Sequence, residues 1–438
     1  MSLGLNLFGP RYGFEGGLFL TDHKTVTARL PIETLTVDGP LYVPLQAAAD
    51  RPTRPVVSIG ERVLWGDLLA APQGAESVGV FAPTSGTVTE FSRTWSPHDG
   101  FLPCAVLEPD GRNERVRPRL AWDEDSFTDL LAGHGTMCPQ PRVPAHVLIR
   151  TAIAAGATTL IINAMETEPY LTADLRTLVE MPGRVVDVAC EIADAIGAGR
   201  VLIAVPDRHR RVLKRIASEA VGRFVEVIAL PDKYPQCNPI VLTKTLLDLE
   251  VSPGGDPLDL GVLVLPLGAT RGIADAVFDD RPTTHVLITL AGDAVERRGT
   301  YLAPIGLPVE RLAQRVGLRG EVRTAVCGGP LTGVEITRSD SVITSTTVAI
   351  LLFAGEPAQR PMPCVHCGWC VEDCPVGLDP VSLAQLELQA TVDPAVIPEL
   401  RACVDCGLCS YVCPSRLPLA ATIARNRDRF AGQAEGRP

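Results

Sequence analysis

Eight of the thirteen cysteines fall in two matching runs, Cys364, Cys367, Cys370 and Cys374, then Cys403, Cys406, Cys409 and Cys413. Each run reads C-x-x-C-x-x-C-x-x-x-C-P, closed by Pro375 and Pro414. Nothing else in the chain constrains the fold as much, because eight thiols must be gathered into two tight nests. In this spacing the first three thiols wrap one face of a cubane iron–sulfur cluster, and the fourth reaches the neighbouring cluster. One [4Fe–4S] cluster is therefore expected on Cys364, Cys367, Cys370 and Cys413, and a second on Cys403, Cys406, Cys409 and Cys374. The proline after each fourth cysteine keeps the next helix from running back through the pocket. Structural zinc is the rival reading, but paired C-x-x-C units satisfy it without a third cysteine at the same interval, twice over. Disulfides are a weaker rival. Two such clusters make a chain that moves electrons.

A net charge of −11 speaks against a nucleic-acid partner, which selects a basic surface. No stretch of about eighteen consecutive apolar residues is present, so no membrane-spanning helix is expected. The N-terminal residues lack a basic segment followed by an apolar core, so they do not read as a secretory signal. Thiolates awaiting cluster assembly also require a reducing compartment. The expected location is cytoplasmic, and any membrane association is peripheral, on the cytoplasmic face of the inner membrane.

The expected fold class is multidomain α/β. Residues 1–125 carry short Val-, Thr- and Gly-rich runs bounded by turn signals, an all-β pattern. Val57–Val63 and Ala82–Val88 read as the two arms of a barrel-sandwich hybrid of lipoyl type. The tip Pro83-Thr84-Ser85-Gly86 has no lysine, so packing or docking is expected there rather than a swinging arm. Residues 126–290 alternate apolar runs with amphipathic helical stretches. Strands are expected at Thr158–Ile162, Arg200–Val205, Val225–Leu230, Leu260–Leu265 and His285–Leu290, forming a parallel sheet covered on both faces. Ligands in such folds collect at the carboxyl ends of strands. Residues 291–350 read as a small β-grasp unit with one helix over Pro308–Val316, and 351–438 as a helical, ferredoxin-like domain for the two clusters.

This module order, together with several short motifs, resembles the C subunit of the Rnf electron transport complex. The motifs are Glu15-Gly16-Gly17 before Lys24, the APTSGTV run at 82–88, Asn163 with Glu166 and Glu168-Pro169-Tyr170, Lys233-Tyr234-Pro235-Gln236, and Cys409 to Ser415. The middle domain is also similar to the flavin-binding subunit of respiratory complex I. The resemblance implies a peripheral subunit that takes electrons from NADH through FMN and passes them through two [4Fe–4S] clusters to the other subunits of a membrane complex. It also implies that Asn163, Glu166, Glu168 and Lys233 face FMN or NADH. A soluble flavoenzyme similar to cobalamin reductases, and a flavin-free ferredoxin-like adaptor to another oxidoreductase, share parts of this pattern and remain alternatives.

The departures from the family pattern fall on one function. Where the family writes GxGGAGFP, a loop whose backbone N–H groups approach phosphates, residues 133–141 read GHGTMCPQP. The lysine motif continues Cys237-Asn238-Pro239 without its glycines, and the family's NVGT loop reads Pro266-Leu267-Gly268-Ala269. The expectation is a degenerate FMN/NADH site. Glu166 and Glu168 have a second reading as charges at the start of the next helix. Within the cluster loops, Asp405 replaces His366, and its charge is expected to lower the potential of the second cluster below that of the first.

Overall fold

A computed structural model describes residues 13–116, 126–355 and 360–430. The first twelve residues, part of the segment read above for a secretory signal, lie outside these. The N-terminal unit is built on a four-stranded antiparallel sheet of β1 (Leu41–Pro44), β2 (Arg62–Val63), β3 (Gly86–Ser96) and β4 (Gly100–Pro109), in the order β1-β4-β3-β2. Thr53–Pro55, Leu68–Pro72 and Val80–Phe81 form a second, three-stranded sheet. The tip between the arms is buried: Thr84 and Ser85 are sealed from solvent, and the Ser85 hydroxyl donates to Asp110 at 2.6 Å. A tip held inside the fold packs; it does not swing.

After the helix α1 (Ala145–Ala154) comes the α/β unit: β5 (Thr159–Asn163), α2 (Ala173–Glu180), α3 (Pro182–Ile196), β6 (Arg200–Pro206), α4 (Arg210–Glu219), β7 (Glu226–Leu230), α5 (Pro239–Leu247), β8 (Val262–Pro266) and α6 (Leu267–Asp279). Its four strands are parallel, in the order β7-β6-β5-β8. Successive β5 residues point to opposite faces. Leu160 and Ile162 join the core that contains Ile149, Val185 and Ile273, while Ile161 packs with Leu242 and Leu246 of α5. Burial on both faces is why these strands are continuously apolar.

The expected fifth strand belongs elsewhere. β9 (His285–Ala291) pairs antiparallel with β10 (Gly299–Pro304) and parallel with β13 (Ala349–Phe353), in a six-stranded mixed sheet. That sheet also holds β11 (Thr324–Cys327), β12 (Val334–Glu335) and the strand Glu33–Thr34 from the N-terminal unit. The apolar run of β9 matches that of a fifth parallel strand, because β9 too is buried on both faces over its C-terminal half. The one helix of this unit is Val309–Val316, and Leu312 and Val316 anchor it in a core shared with the N-terminal sheets. Among the described residues no helix is long and apolar enough to cross a membrane.

Candidate functional site

The two cysteine runs fold as near copies. In each, the residue two after the first cysteine takes a left-handed conformation, His366 at φ +55 and Asp405 at φ +52. Gly368 and Gly407 follow at φ +82 and +77 and cap the short helices Trp369–Glu372 and Leu408–Tyr411. Glycine is therefore required by backbone conformation in both loops. At Gly407 space matters too, since a Cβ would lie 2.5 Å from the Leu331 carbonyl oxygen. The fourth cysteines match as well: Sγ of Cys374 accepts from the Leu378 N–H at 3.3 Å, and Sγ of Cys413 from the Leu417 N–H at 3.5 Å.

Cys364, Cys367, Cys370 and Cys413 line one cavity of about 280 Å³, together with Pro414 and Ser415. Cys374 is an electrostatic neighbour of Cys403, Cys406 and Cys409, on the other side of the pseudo-repeat. The fourth thiol of each run thus stands with the three of the other. Among the described residues no three His, Cys, Asp or Glu side chains converge as they would on a single metal ion. A cavity of this size between four thiols has room for a cubane, which carries its own bulk between them. Ser415 ties the two runs together, donating to the Pro363 carbonyl at 2.8 Å and accepting from the Met362 N–H at 2.9 Å through its own carbonyl.

Asp405 does not act as a lone charge. Arg427 pairs with it at 2.8 Å and also donates to the Cys403 carbonyl at 3.3 Å. The pair offsets part of the field on which the lower potential of the second cluster was expected to rest. Arg427→Ala exposes that charge. One uncompensated charge at this range is worth on the order of 1 kcal/mol, about 40 mV for a one-electron couple. A redox titration of the variant is expected to show one couple lowered by about that much, and an unchanged titration would remove the role given to this ion pair.

A second cavity, of about 590 Å³, opens at the carboxyl ends of β5 and β8. Asn163, Glu166, Glu168 and Cys237 line it, with Pro266 and Gly268 from the start of α6. Its outer end is lined by the N-terminal unit. Arg115 stacks on Trp65 with 3.7 Å to the ring centroid, and Trp65 lies 4.9 Å from the His285 ring. Burial, with Arg115 and Arg271 nearby, lowers His285 to about 3, so its imidazole is neutral. This wall comes from three separate segments, and no local motif announces it.

The expected nucleotide residues are all engaged within the protein. The Asn163 side chain donates to the Cys237 carbonyl at 2.7 Å and accepts from the Met165 N–H at 3.1 Å. Glu166 accepts from the N–H groups of Asp174 at 3.0 Å and Leu175 at 3.2 Å, so it caps α2 from the preceding loop. Glu168 accepts from the Leu331 N–H at 3.0 Å and from the Thr332 hydroxyl, latching the α/β unit to the turn before β12. Lys233 does not line the cavity. Its ammonium donates to the Phe14 carbonyl at 3.1 Å and lies over the Phe14 ring.

Burial dominates the electrostatics around Glu166. It raises Glu166 and, still further, Asp174, whose ionisation the Glu166 carboxylate also opposes. Lys24, only 3% exposed, donates to the Glu166 carbonyl oxygen, and burial lowers its pKa.

The sheet end of this cavity lacks the glycine-rich loop of the family pattern. Met137-Cys138 pairs with Val143-Pro144 as a tight hairpin, and Met137, Pro139 and Gln140 line the space. Pro139 packs on Gly268 at the first turn of α6, where helix N–H groups would otherwise meet an anion. Glu166 and Asp174 stand beside it, and Arg115, Arg271 and Arg281 line the same cavity.

Comparison with known proteins agrees with this layout. A family model for the RnfC barrel sandwich hybrid domain matches residues 12–112, and one for the Nuo51 FMN-binding domain matches residues 141–274. The second match begins within the rewritten hairpin. The chain is 31% identical over 392 residues to the C subunit of the ion-translocating oxidoreductase complex of Rhodobacter capsulatus, covering 86% of this chain and 76% of that protein. It is 30% identical over 386 residues to the C subunit of the proton-translocating ferredoxin:NAD(+) oxidoreductase complex of Clostridium ljungdahlii, covering 85% and 84%. A solved NAD+-reducing [NiFe]-hydrogenase aligns over 70% of this chain and 61% of its own, at 17% identity and a TM-score of 0.44. The chain belongs to the family of C subunits of ion-translocating oxidoreductase complexes.

Proposed function

We propose that this chain is the peripheral electron-transfer subunit of a membrane ion-translocating oxidoreductase complex, and that its two cysteine sets each hold a [4Fe–4S] cluster. When bound, such clusters take up and release single electrons. The protein supplies the thiolates, the N–H donors to Sγ and the buried walls that set the potential. The observation that carries the reading is the cavity of about 280 Å³ walled by Cys364, Cys367, Cys370 and Cys413, a set drawn from both runs.

The hairpin at 137–144 favours a second reading of the entrance: an FMN-domain scaffold that holds no flavin, so that electrons arrive directly at the clusters from another subunit. Pro139 and Pro141 offer no N–H to a phosphate. Anaerobic purification followed by assay of iron, sulfide and flavin tests both statements. The expected result is about eight iron and about eight sulfide per chain, flavin far below one per chain, and cluster absorbance that dithionite bleaches and NADH does not. Bound zinc in place of iron would overturn the cluster reading. One FMN per chain with bleaching by NADH would restore the flavin entrance.

A further inference from the structure

Three of the motifs that carry the family resemblance meet around the second cysteine set. Residues 14–18 thread between the loop after β7 and the end of the first cysteine run. The Gly17 N–H donates to the Asp373 carbonyl at 2.9 Å, and Leu18 and Tyr234 exchange backbone hydrogen bonds of 2.9 and 2.7 Å. Gly16 and Gly17 are both left-handed. A Cβ on Gly16 would lie 2.5 Å from the Cys374 carbonyl oxygen, and one on Gly17 would lie 2.5 Å from that of Tyr234. Only glycine passes through such a gap. Tyr234 is 1% exposed, and its hydroxyl donates to the Cys406 carbonyl at 2.5 Å. Asn238 donates to the Val404 carbonyl at 3.2 Å. From the third unit, Leu331, held by Glu168, closes on Gly407.

The first set has no such cover among the described residues. Val365 is 64% exposed and Trp369 52%, and its cavity opens beside them.

We infer that the set Cys403, Cys406, Cys409 and Cys374 is the inner of the two, facing the cavity of the α/β unit, and that Tyr234 is a positioning residue that tunes it. This rests on the two-cluster reading above. The phenol directs the positive end of its O–H dipole at the Cys406 carbonyl, in a buried setting where such a dipole is weakly screened. That orientation favours the more negative, reduced state of a cluster held by this loop. Tyr234 also bridges to the cavity, because Cys237, three residues on, lines it and is tied to Asn163.

The experiment is Tyr234→Phe in the full chain, prepared anaerobically, with iron per chain and an EPR-monitored redox titration as readouts. Iron is expected to stay at the wild-type level. One couple is expected to fall, with an about threefold lower reduced-to-oxidised ratio at fixed potential, ~28 mV for one electron, while the other stays in place. The couple that moves must be the one lost in Cys374→Ala and kept in Cys413→Ala. Asn238→Asp, which keeps the side-chain oxygen's cap on α5 while removing the donor to Val404, is expected to move the same couple the same way. Two unmoved couples, or movement of the one lost with Cys413, overturns the inference. Wild-type protein without iron for two clusters overturns the cluster reading instead, and the inference falls with it.

Discussion

Replacing Cys374 with alanine is expected to abolish the cluster of the second run, not that of the run in which Cys374 lies. Iron should fall from about eight to about four per chain, and the surviving signal should be the one that Cys413→Ala removes. The geometry makes the outcome asymmetric. Cys374 shares its electrostatic surroundings with Cys403, Cys406 and Cys409, while Cys413 stands in the cavity with Cys364, Cys367 and Cys370. A thiolate cage that loses one of four ligands loses most of its hold on a [4Fe–4S] cluster. Serial ligation within each run predicts the opposite pattern, in which Cys374→Ala and Cys364→Ala remove the same signal. Paired single-variant iron assays and EPR spectra separate the two outcomes without any knowledge of donor or acceptor.

The cysteine spacing was legible because cluster ligation is local: three thiols and a turn within one short loop carry most of the information. The parallel sheet was legible for a similar reason, since Leu160, Ile161 and Ile162 cannot all be apolar on a half-exposed strand. The placement of β9 was not, because an apolar strand does not say which sheet it joins. Glu166 and Glu168 show the same limit at the site. Their position after a strand is shared by a cofactor ligand, a helix cap and a latch, and only tertiary partners distinguish these. Glu166 finds the N–H groups of Asp174 and Leu175 eight and nine residues on, and Glu168 finds Leu331 across the molecule. Lys233, with Tyr234 beside it, carried the resemblance to a residue that faces FMN or NADH. In the fold they turn away from the cavity toward residues 14–18 and the Cys406 loop. The partner of Asp405 was not legible, because Arg427 sits in the last helix, where it reads as one arginine among neighbours such as Arg425 and Arg429.

The carboxyl pair beneath the cavity sets a pH dependence with a definite sign. Asp174→Asn is expected to stabilise the protein near neutral pH by on the order of 1 kcal/mol, with the gain vanishing as pH falls toward about 4, the ordinary range of a carboxyl group. Burial raises Asp174 well above its usual range, and the Glu166 carboxylate pushes it further, with Lys24 giving back only part. Because the folded-state pKa is raised, the folded chain binds a proton more readily than the unfolded one. This group's contribution is therefore fully present below the unfolded pKa and is lost as pH rises through the folded one. Asparagine matches the protonated acid in shape and carries no charge, so it escapes the loss at neutral pH and resembles wild type in acid. Glu166 keeps its two N–H donors from the start of α2 in the variant, so the helix cap survives. Urea melts of both proteins across a range from about pH 4 to about pH 8 measure the difference directly. A gap that is constant with pH, or that widens in acid, would show that Asp174 is ionised at no cost in the fold.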